Sequence, residues 1–284
     1  MAGKRRAQQV SHPPHPHVPG ALGAFLNEKA AFYNTPAFIA RDPISIPHQF
    51  TRLQDIEIMG FWAAVLAWGQ RPVILQKAQE LIQLMEGVPH DFIRHHEDSD
   101  LRRFLAFKHR TFTATDTLYF LHFLKQYYRH HDSLETAFLP TGGGQDSPTV
   151  EPHLRHFHDL FCDATGEQGL FFPERTRKHI ATPARQSGCK RLTMFLRWMV
   201  RRDDAGVDFG LWQRIRPDQL IIPIDVHVGR VAAKLGLLAR KNDNTPKTNW
   251  QAALDLTAQL RQFDPTDPVR YDFALFGLGV EGEL

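Results

Sequence analysis

Residues 187–202 read Ser-Gly-Cys-Lys-Arg-Leu-Thr-Met-Phe-Leu-Arg-Trp-Met-Val-Arg-Arg, and residues 221–230 read Ile-Ile-Pro-Ile-Asp-Val-His-Val-Gly-Arg. In the first segment Leu192, Phe195, Leu196, Met199 and Val200 recur at i, i+3, i+4, i+7 and i+8, which predicts an amphipathic helix. Lys190, Arg197 and Arg201 fall together on the other side of the wheel, and no acid interrupts the run from Lys190 to Arg202. The expectation is a helix with one apolar face and one cationic face. Such a face suits a polyphosphate, and it serves equally as an ordinary solvated surface.

The second segment adds a carboxylate. Pro223-Ile224-Asp225-Val226-His227 reads as the start of a helix with Asp225 at its N-cap. There an aspartate accepts hydrogen bonds from the first free backbone N–H groups and complements the helix dipole. Many helices begin in this way without doing chemistry. What sets Asp225 apart is its place, one helix and one loop after a glycine-led basic helix, with the aliphatic run Leu220-Ile221-Ile222 leading into it.

The helix opening on Gly188-Cys189-Lys190, followed by Pro-Ile-Asp-Val-His-Val, resembles the helix-hairpin-helix/Gly-Pro-Asp superfamily of DNA base-excision glycosylases. It is similar above all to the 8-oxoguanine glycosylase branches. The whole chain also resembles a bacterial family of unknown function, so the enzymatic expectation rests on the wider superfamily. The resemblance implies that a lysine at the hairpin attacks the sugar carbon of an extruded nucleotide. An aspartate at the next helix N-terminus assists loss of the base. The matching positions are Lys190 and Asp225. One departure is visible: the superfamily's hairpin has the form Leu-Pro-Gly-x-Gly, whereas residues 183–188 read Pro-Ala-Arg-Gln-Ser-Gly, with a single glycine. The Lys190–Asp225 separation is also longer than in the endonuclease III branch. A nucleophilic lysine has to shed its proton, which burial, neighbouring cations and a helix N-terminus all favour. Arg191 and Arg197 are the expected neighbours. An ionised Asp225 would stabilise positive charge growing on the sugar.

Bulk properties bound the rest. At 284 residues the chain can form one large domain or two small ones. Net charge is +3, from 34 basic and 31 acidic residues, so nucleic-acid binding has to be argued from where charge sits and not from its total. The only cysteines, Cys162 and Cys189, exclude a four-cysteine iron–sulfur cluster or zinc site within one chain. The longest nearly apolar run, Met59 to Gly69, is too short for a bilayer, and the basic N-terminus lacks an apolar signal core. The expectation is a cytoplasmic monomer with no membrane association, no metal and no organic cofactor.

Along the chain, residues 1–20 carry Lys4-Arg5-Arg6 and a Pro/His-rich stretch, read as a disordered tail. Residues 21–50 together with 226–284 are expected to form an N/C-terminal helical lobe. Residues 51–225 form a central lobe, including the hairpin-like element near 183–202. A helical pair is marked by Met59, Trp62, Ala63 and Leu66, with Asp55 as a possible cap, and by Ile74, Ala78, Leu81, Ile82 and Met85. Gly69-Gln70-Arg71-Pro72 turns between them. The resemblance makes Gln70 a candidate contact to DNA near the displaced base, with Arg71 beside it; a plain polar turn fits as well. Phe120, Phe123, Leu124, Tyr127 and Tyr128 read as core. Phe209 and Trp212 either wall a base pocket or simply pack. His153 and His156 have metal-compatible spacing but no evident carboxylate partner, and the Gly-rich stretch at 142–144 lacks the Lys-Ser/Thr ending of a phosphate loop. Val231, Leu235 and Leu238 are expected to continue the helix that Asp225 begins, and the last helix, carrying Phe273, Ala274 and Phe276, is expected to stop at Gly277.

The expectation is an all-α, two-lobed fold with a cleft between its lobes. Its function would be excision of a damaged base, oxidised guanine among the options, from double-stranded DNA through a lysine Schiff base. Gly188, Arg191, Arg197, Arg201 and His227 join Gln70 and Arg71 as candidate nucleic-acid contacts. The rival is a DNA- or RNA-binding helical protein that keeps the fold without the chemistry.

Overall fold

The computed structural model describes residues 19–163, 172–239 and 245–282. Its α-helices run α1 Pro19–Tyr33, α2 Pro36–Ile39, α3 Leu53–Leu66, α4 Arg71–Leu84, α5 Pro89–His95 and α6 Ala114–Tyr128. They continue with α7 Glu135–Phe138, α8 Glu151–Phe161, α9 Lys190–Val200, α10 Val226–Lys234, α11 Trp250–Leu260 and α12 Asp272–Glu281. Short 3-10 turns link several of them. Among the described residues there is no strand beyond two isolated bridges, His109 with Phe112 and Ser187 with Asn249. The fold is all-α, as the periodicities imply. Lys4-Arg5-Arg6 and the Pro/His stretch lie outside the described residues, as does Phe171.

Helix α3 is the axis of the core: every residue from Ile56 to Leu66 is buried. A helix apolar all round has to be enclosed on all sides. Helix α9 crosses it at Gly60, where an added Cβ would stand 3.3 Å from both Phe195 and Met199. Helix α6 brings its aromatic stripe to the same centre, with Phe61 stacked on Phe120 at 5.6 Å and Trp62 against Phe120 at 5.0 Å. Full burial of each such ring contributes about 1.5–3 kcal/mol. The stripe is core, as its spacing implies.

The fixed polar point inside this core is Glu57 on α3. It is fully buried and accepts from the Tyr128 hydroxyl at 2.9 Å, the Ser133 hydroxyl at 2.5 Å, the Leu134 N–H at 3.1 Å and the Trp212 indole N–H at 2.7 Å. One side chain thereby ties α3 to α6, to the start of α7 and to the loop after α9.

Three helix boundaries differ from the sequence reading. Asp55 does not cap α3; its carboxylate accepts from the His90 N–H at 2.7 Å, and Arg52 occupies the cap position. Helix α10 ends at Lys234, short of Leu235 and Leu238. Helix α12 runs past Gly277 to Glu281. Gly277 is not a stop signal, because the ring of Tyr33 from α1 lies where its side chain would be, 2.3 Å from an added Cβ. The true end is Gly282, at φ 71° in the left-handed conformation that terminates helices.

Buried histidines give the fold an acid-sensitive side. His153 is fully buried on α8 with neither ring nitrogen hydrogen-bonded, and burial lowers it from 6.5 to about 4. Burial also lowers His90, His96 and His109. A base depressed in the folded state binds protons better when the chain unfolds. Its contribution to stability is complete above 6.5 and is lost as pH falls toward the folded value. The melting temperature is therefore expected to drop steeply between about pH 6.5 and 4.5, and His153→Leu should flatten that drop. An unchanged slope in the variant would remove His153 from this account.

Candidate active site

Lys190 is the first residue of α9, and the turn before it is shaped by close backbone approach. Gln186 and Cys189 both take left-handed conformations, with φ 56° and 49°. Between them, Gly188 passes so near the segment leading into α11 that an added Cβ would lie 2.2 Å from the Thr248 carbonyl oxygen. Ser187 bridges to Asn249, and the Trp250 N–H donates to the Gln186 carbonyl at 3.3 Å. The lone glycine of the sequence hairpin thus stands where backbone meets backbone. Gly188→Ala is expected to cost about 1–3 kcal/mol or more through overpacking, read as a lowered denaturation midpoint. Between residue 172 and this turn lie the 3-10 turns Glu174–His179 and Pro183–Arg185. The element near 183–202 is one α-helix entered through a tight turn, and no α-helix directly precedes that turn.

Asp225 is the N-cap of α10, accepting from the Val228 N–H at 2.9 Å. The buried run Leu220–Ile224 leads into it. Its other oxygen meets Lys190: Nζ lies 2.9 Å from Oδ2, with side chains 31% and 19% exposed. Burial raises the Asp225 carboxyl, but the charge and hydrogen bond of Lys190 and the Val228 N–H outweigh this and hold it below the usual carboxylate value. The amine and the carboxylate, 35 positions apart in the chain (225 − 190), are one half-buried pair.

The pair lies in a cleft of about 450 Å³. It is lined by Trp68, Arg71 and Ile74 from the α3–α4 turn and α4, by Phe38 of α2, and by Phe276 and Val280 of α12. Asp42, Asp272 and Arg197 also line it. Burial pushes Asp272 up to about 6 even though Arg197 donates to it, and burial also raises Asp42, whose oxygen accepts from the Ile44 N–H at 3.0 Å. The cleft thus joins aromatic and aliphatic walls to a charged lining of one lysine, two arginines and three aspartates.

Of the expected nucleic-acid contacts, Arg71 and His227 line this cleft, with Arg71 lying over the Phe276 ring at 5.5 Å. Gln70 is exposed beside it at the N-cap of α4. Gly188 lies instead in a second, polar depression with Gln186, Lys247 and Asn249. Arg191 turns away from Lys190 and donates to the carbonyls of Val65 at 2.7 Å and Lys178 at 3.4 Å.

Arg197 and Arg201 require correction. Both are buried, and the expected cationic face of α9 does not reach solvent. Arg197 pairs with Asp208 at 3.2 Å and with Asp272. Arg201 pairs with Asp203 at 2.5 Å, Asp208 at 3.1 Å and Asp267 at 2.9 Å. Buried guanidinium groups need such partners, and these leave neither arginine free to hold phosphate. Arg191 and Arg197 are likewise not free cations beside Lys190; its charged partner is Asp225. Trp212 is buried against Phe138 and Phe195, and Phe209 stacks on His48, so both serve packing and neither lines the cleft.

Sequence reasoning missed Phe38, Asp42, Trp68, Asp272 and Phe276. They come from segments far apart in the chain, and each reads locally as an ordinary cap or core residue. Asp42-Pro43 and Asp272 in particular carry the signature of helix starts, and that signature masks their position in the cleft. Among the described residues, no helix is long and apolar enough to cross a membrane.

No curated protein and no solved structure matches the chain. A model of a family described as proteins of unknown function, DUF2400, matches residues 42–281, and the chain belongs to that family.

Proposed function

We propose that the cleft is the active site of a DNA base-excision glycosylase with AP-lyase activity, acting on a nucleotide rotated out of the duplex. The observation that carries this reading is the meeting of Lys190 and Asp225 at 2.9 Å inside a cleft with aromatic walls. The resemblance of the two segments to base-excision glycosylases points to the same pair. An oxidised purine such as 8-oxoguanine is the substrate class that resemblance favours.

In the proposed reaction the Lys190 amine bonds to C1′ of the sugar as the glycosidic bond breaks. The base leaves with that bond's electron pair and one proton. The sugar ring then opens, its oxygen takes a second proton, and C1′ becomes an iminium on Lys190. The three hydrogens of the starting ammonium are thereby balanced among the base, the ring oxygen and the iminium nitrogen, and the single positive charge is conserved. Asp225, held ionised, opposes the positive charge that grows on the sugar as the base departs. Trp68 and Phe276 offer apolar surface against which a planar base can bury its faces.

The test is borohydride reduction on duplex DNA carrying 8-oxoguanine or an abasic site. A covalent protein–DNA adduct is the expected result. Absence of both adduct and base release over a panel of oxidised, alkylated and deaminated bases would overturn the reading.

A further inference from the structure

Beside the Trp68 rim of the cleft, four cations come from two segments that no helix pattern joins. Lys108 and Arg110 lie on the turn bridged by His109 and Phe112, and Arg175 and Lys178 lie on the 3-10 turn Glu174–His179. All four are exposed. The two turns are tied together and to the cleft. Arg175 donates to the Thr111 carbonyl at 3.3 Å, and the His109 ring nitrogen Nε2 lies 3.1 Å from the Trp68 carbonyl oxygen. The Lys178 carbonyl accepts from Arg191, the neighbour of Lys190.

Two of these cations are held in place. Arg110 has a left-handed backbone, φ 55°, a conformation costly for a residue with a side chain. Its guanidinium lies over the Trp68 ring at 5.2 Å and against the open side of Gly69, where an added Cβ would meet it at 3.1 Å. Arg175 is anchored at 3.5 Å by the buried Asp116. Among the described residues Lys108, Arg110 and Lys178 have no carboxylate partner, and the nearby Glu174 is engaged by Arg177 at 2.8 Å. This contrasts with Arg197 and Arg201, which are neutralised inside the fold.

We infer that Lys108, Arg110, Arg175 and Lys178 form a phosphate-binding ridge that carries the backbone of duplex DNA past the Trp68 side of the cleft. The inference rests on the DNA reading of the cleft and gives it the positive surface that α9 does not supply. Pre-positioned guanidinium groups lose less conformational freedom on meeting phosphate than free ones do, and each phosphate neutralised releases condensed counterions.

The test measures binding of the full chain to a duplex containing a tetrahydrofuran abasic analogue, by fluorescence anisotropy from 50 to 300 mM salt. The proteins are wild type, Lys108→Gln/Arg110→Gln, Lys178→Gln, and Arg214→Gln as an exposed arginine of the loop after α9. Wild type should weaken steeply with salt. The double variant should lower the slope of log affinity against log salt by about 2 and Lys178→Gln by about 1, with roughly tenfold weaker binding per charge at low salt. Arg214→Gln should leave the slope unchanged. Equal slopes for wild type and the ridge variants would overturn the ridge while leaving the cleft reading intact. Wild type that fails to bind the duplex would overturn both, and tighter binding to an RNA duplex of the same sequence would overturn the choice of DNA.

Discussion

Lys190→Gln is expected to abolish the borohydride-trapped adduct and to slow base release on the order of 10³-fold, because the amine proposed to form the bond is gone. The variant should still fold. The Lys190–Asp225 pair is partly exposed, and pairs of this kind contribute about 1 kcal/mol or less. Loss of turnover without loss of the cooperative melt therefore separates chemistry from stability. Asp225→Asn sharpens the comparison. Asparagine is as good an N-cap as aspartate, so the start of α10 keeps its acceptor for the Val228 N–H and only the charge is removed. Base release should fall by about 10²–10³-fold, the range seen when a group stabilising transition-state charge is removed. Equal trapping by wild type and Lys190→Gln would rule out Lys190 as nucleophile. Base release by wild type with no adduct would leave a hydrolytic glycosylase that depends on Asp225.

The largest effect on stability is expected at Glu57. Its four partners are all donors, so an acceptor-only carboxylate suits the position and a side-chain amide does not. Each Glu57 oxygen accepts from two donors, so Glu57→Gln points an NH₂ group at two of them, and Glu57→Leu strands all four in the core. Buried donors left without acceptors cost about 1–3 kcal/mol each before relaxation. A loss of about 3–5 kcal/mol is expected for Glu57→Leu, with a melting temperature lower by about 10 °C. Ser133→Ala, which removes one donor and leaves three, should cost only about 1 kcal/mol. Urea denaturation followed by tryptophan fluorescence measures both, since Trp212 reports on this site directly. A Glu57→Leu variant as stable as wild type would show that the network is dispensable.

The fold class was legible because local periodicity and global burial agree for most helices. The aromatic spacing on α6 and the apolar face of α4 say where those elements have to point, and the unbroken apolar run of α3 says that it has to be enclosed. Asp225 was legible for the same reason, since an N-cap is a local signal that the structure honours. Arg197 and Arg201 were not. Their wheel positions describe a cationic face, but the aspartates that bury it lie in the following loop and at the approach to α12. A helical wheel has no place for partners outside the helix. The ridge was illegible for the complementary reason: Lys108 and Arg110 belong to one short basic run and Arg175 and Lys178 to another far along the chain, and the two runs become neighbours only through Thr111, Trp68 and Asp116. The Gly277 reading failed because a glycine that terminates a helix and one that admits a neighbouring ring look identical in one dimension.

The contact between Tyr33 and Gly277 also orders events on the ribosome. By the time α9 and α10 have been synthesised, Lys190 and Asp225 both exist, yet α12 has still to be made. Only when α12 emerges and α1 closes on it do Asp272, Phe276 and Val280 complete the cavity. The cleft therefore gains its full lining only once α12 has docked onto α1.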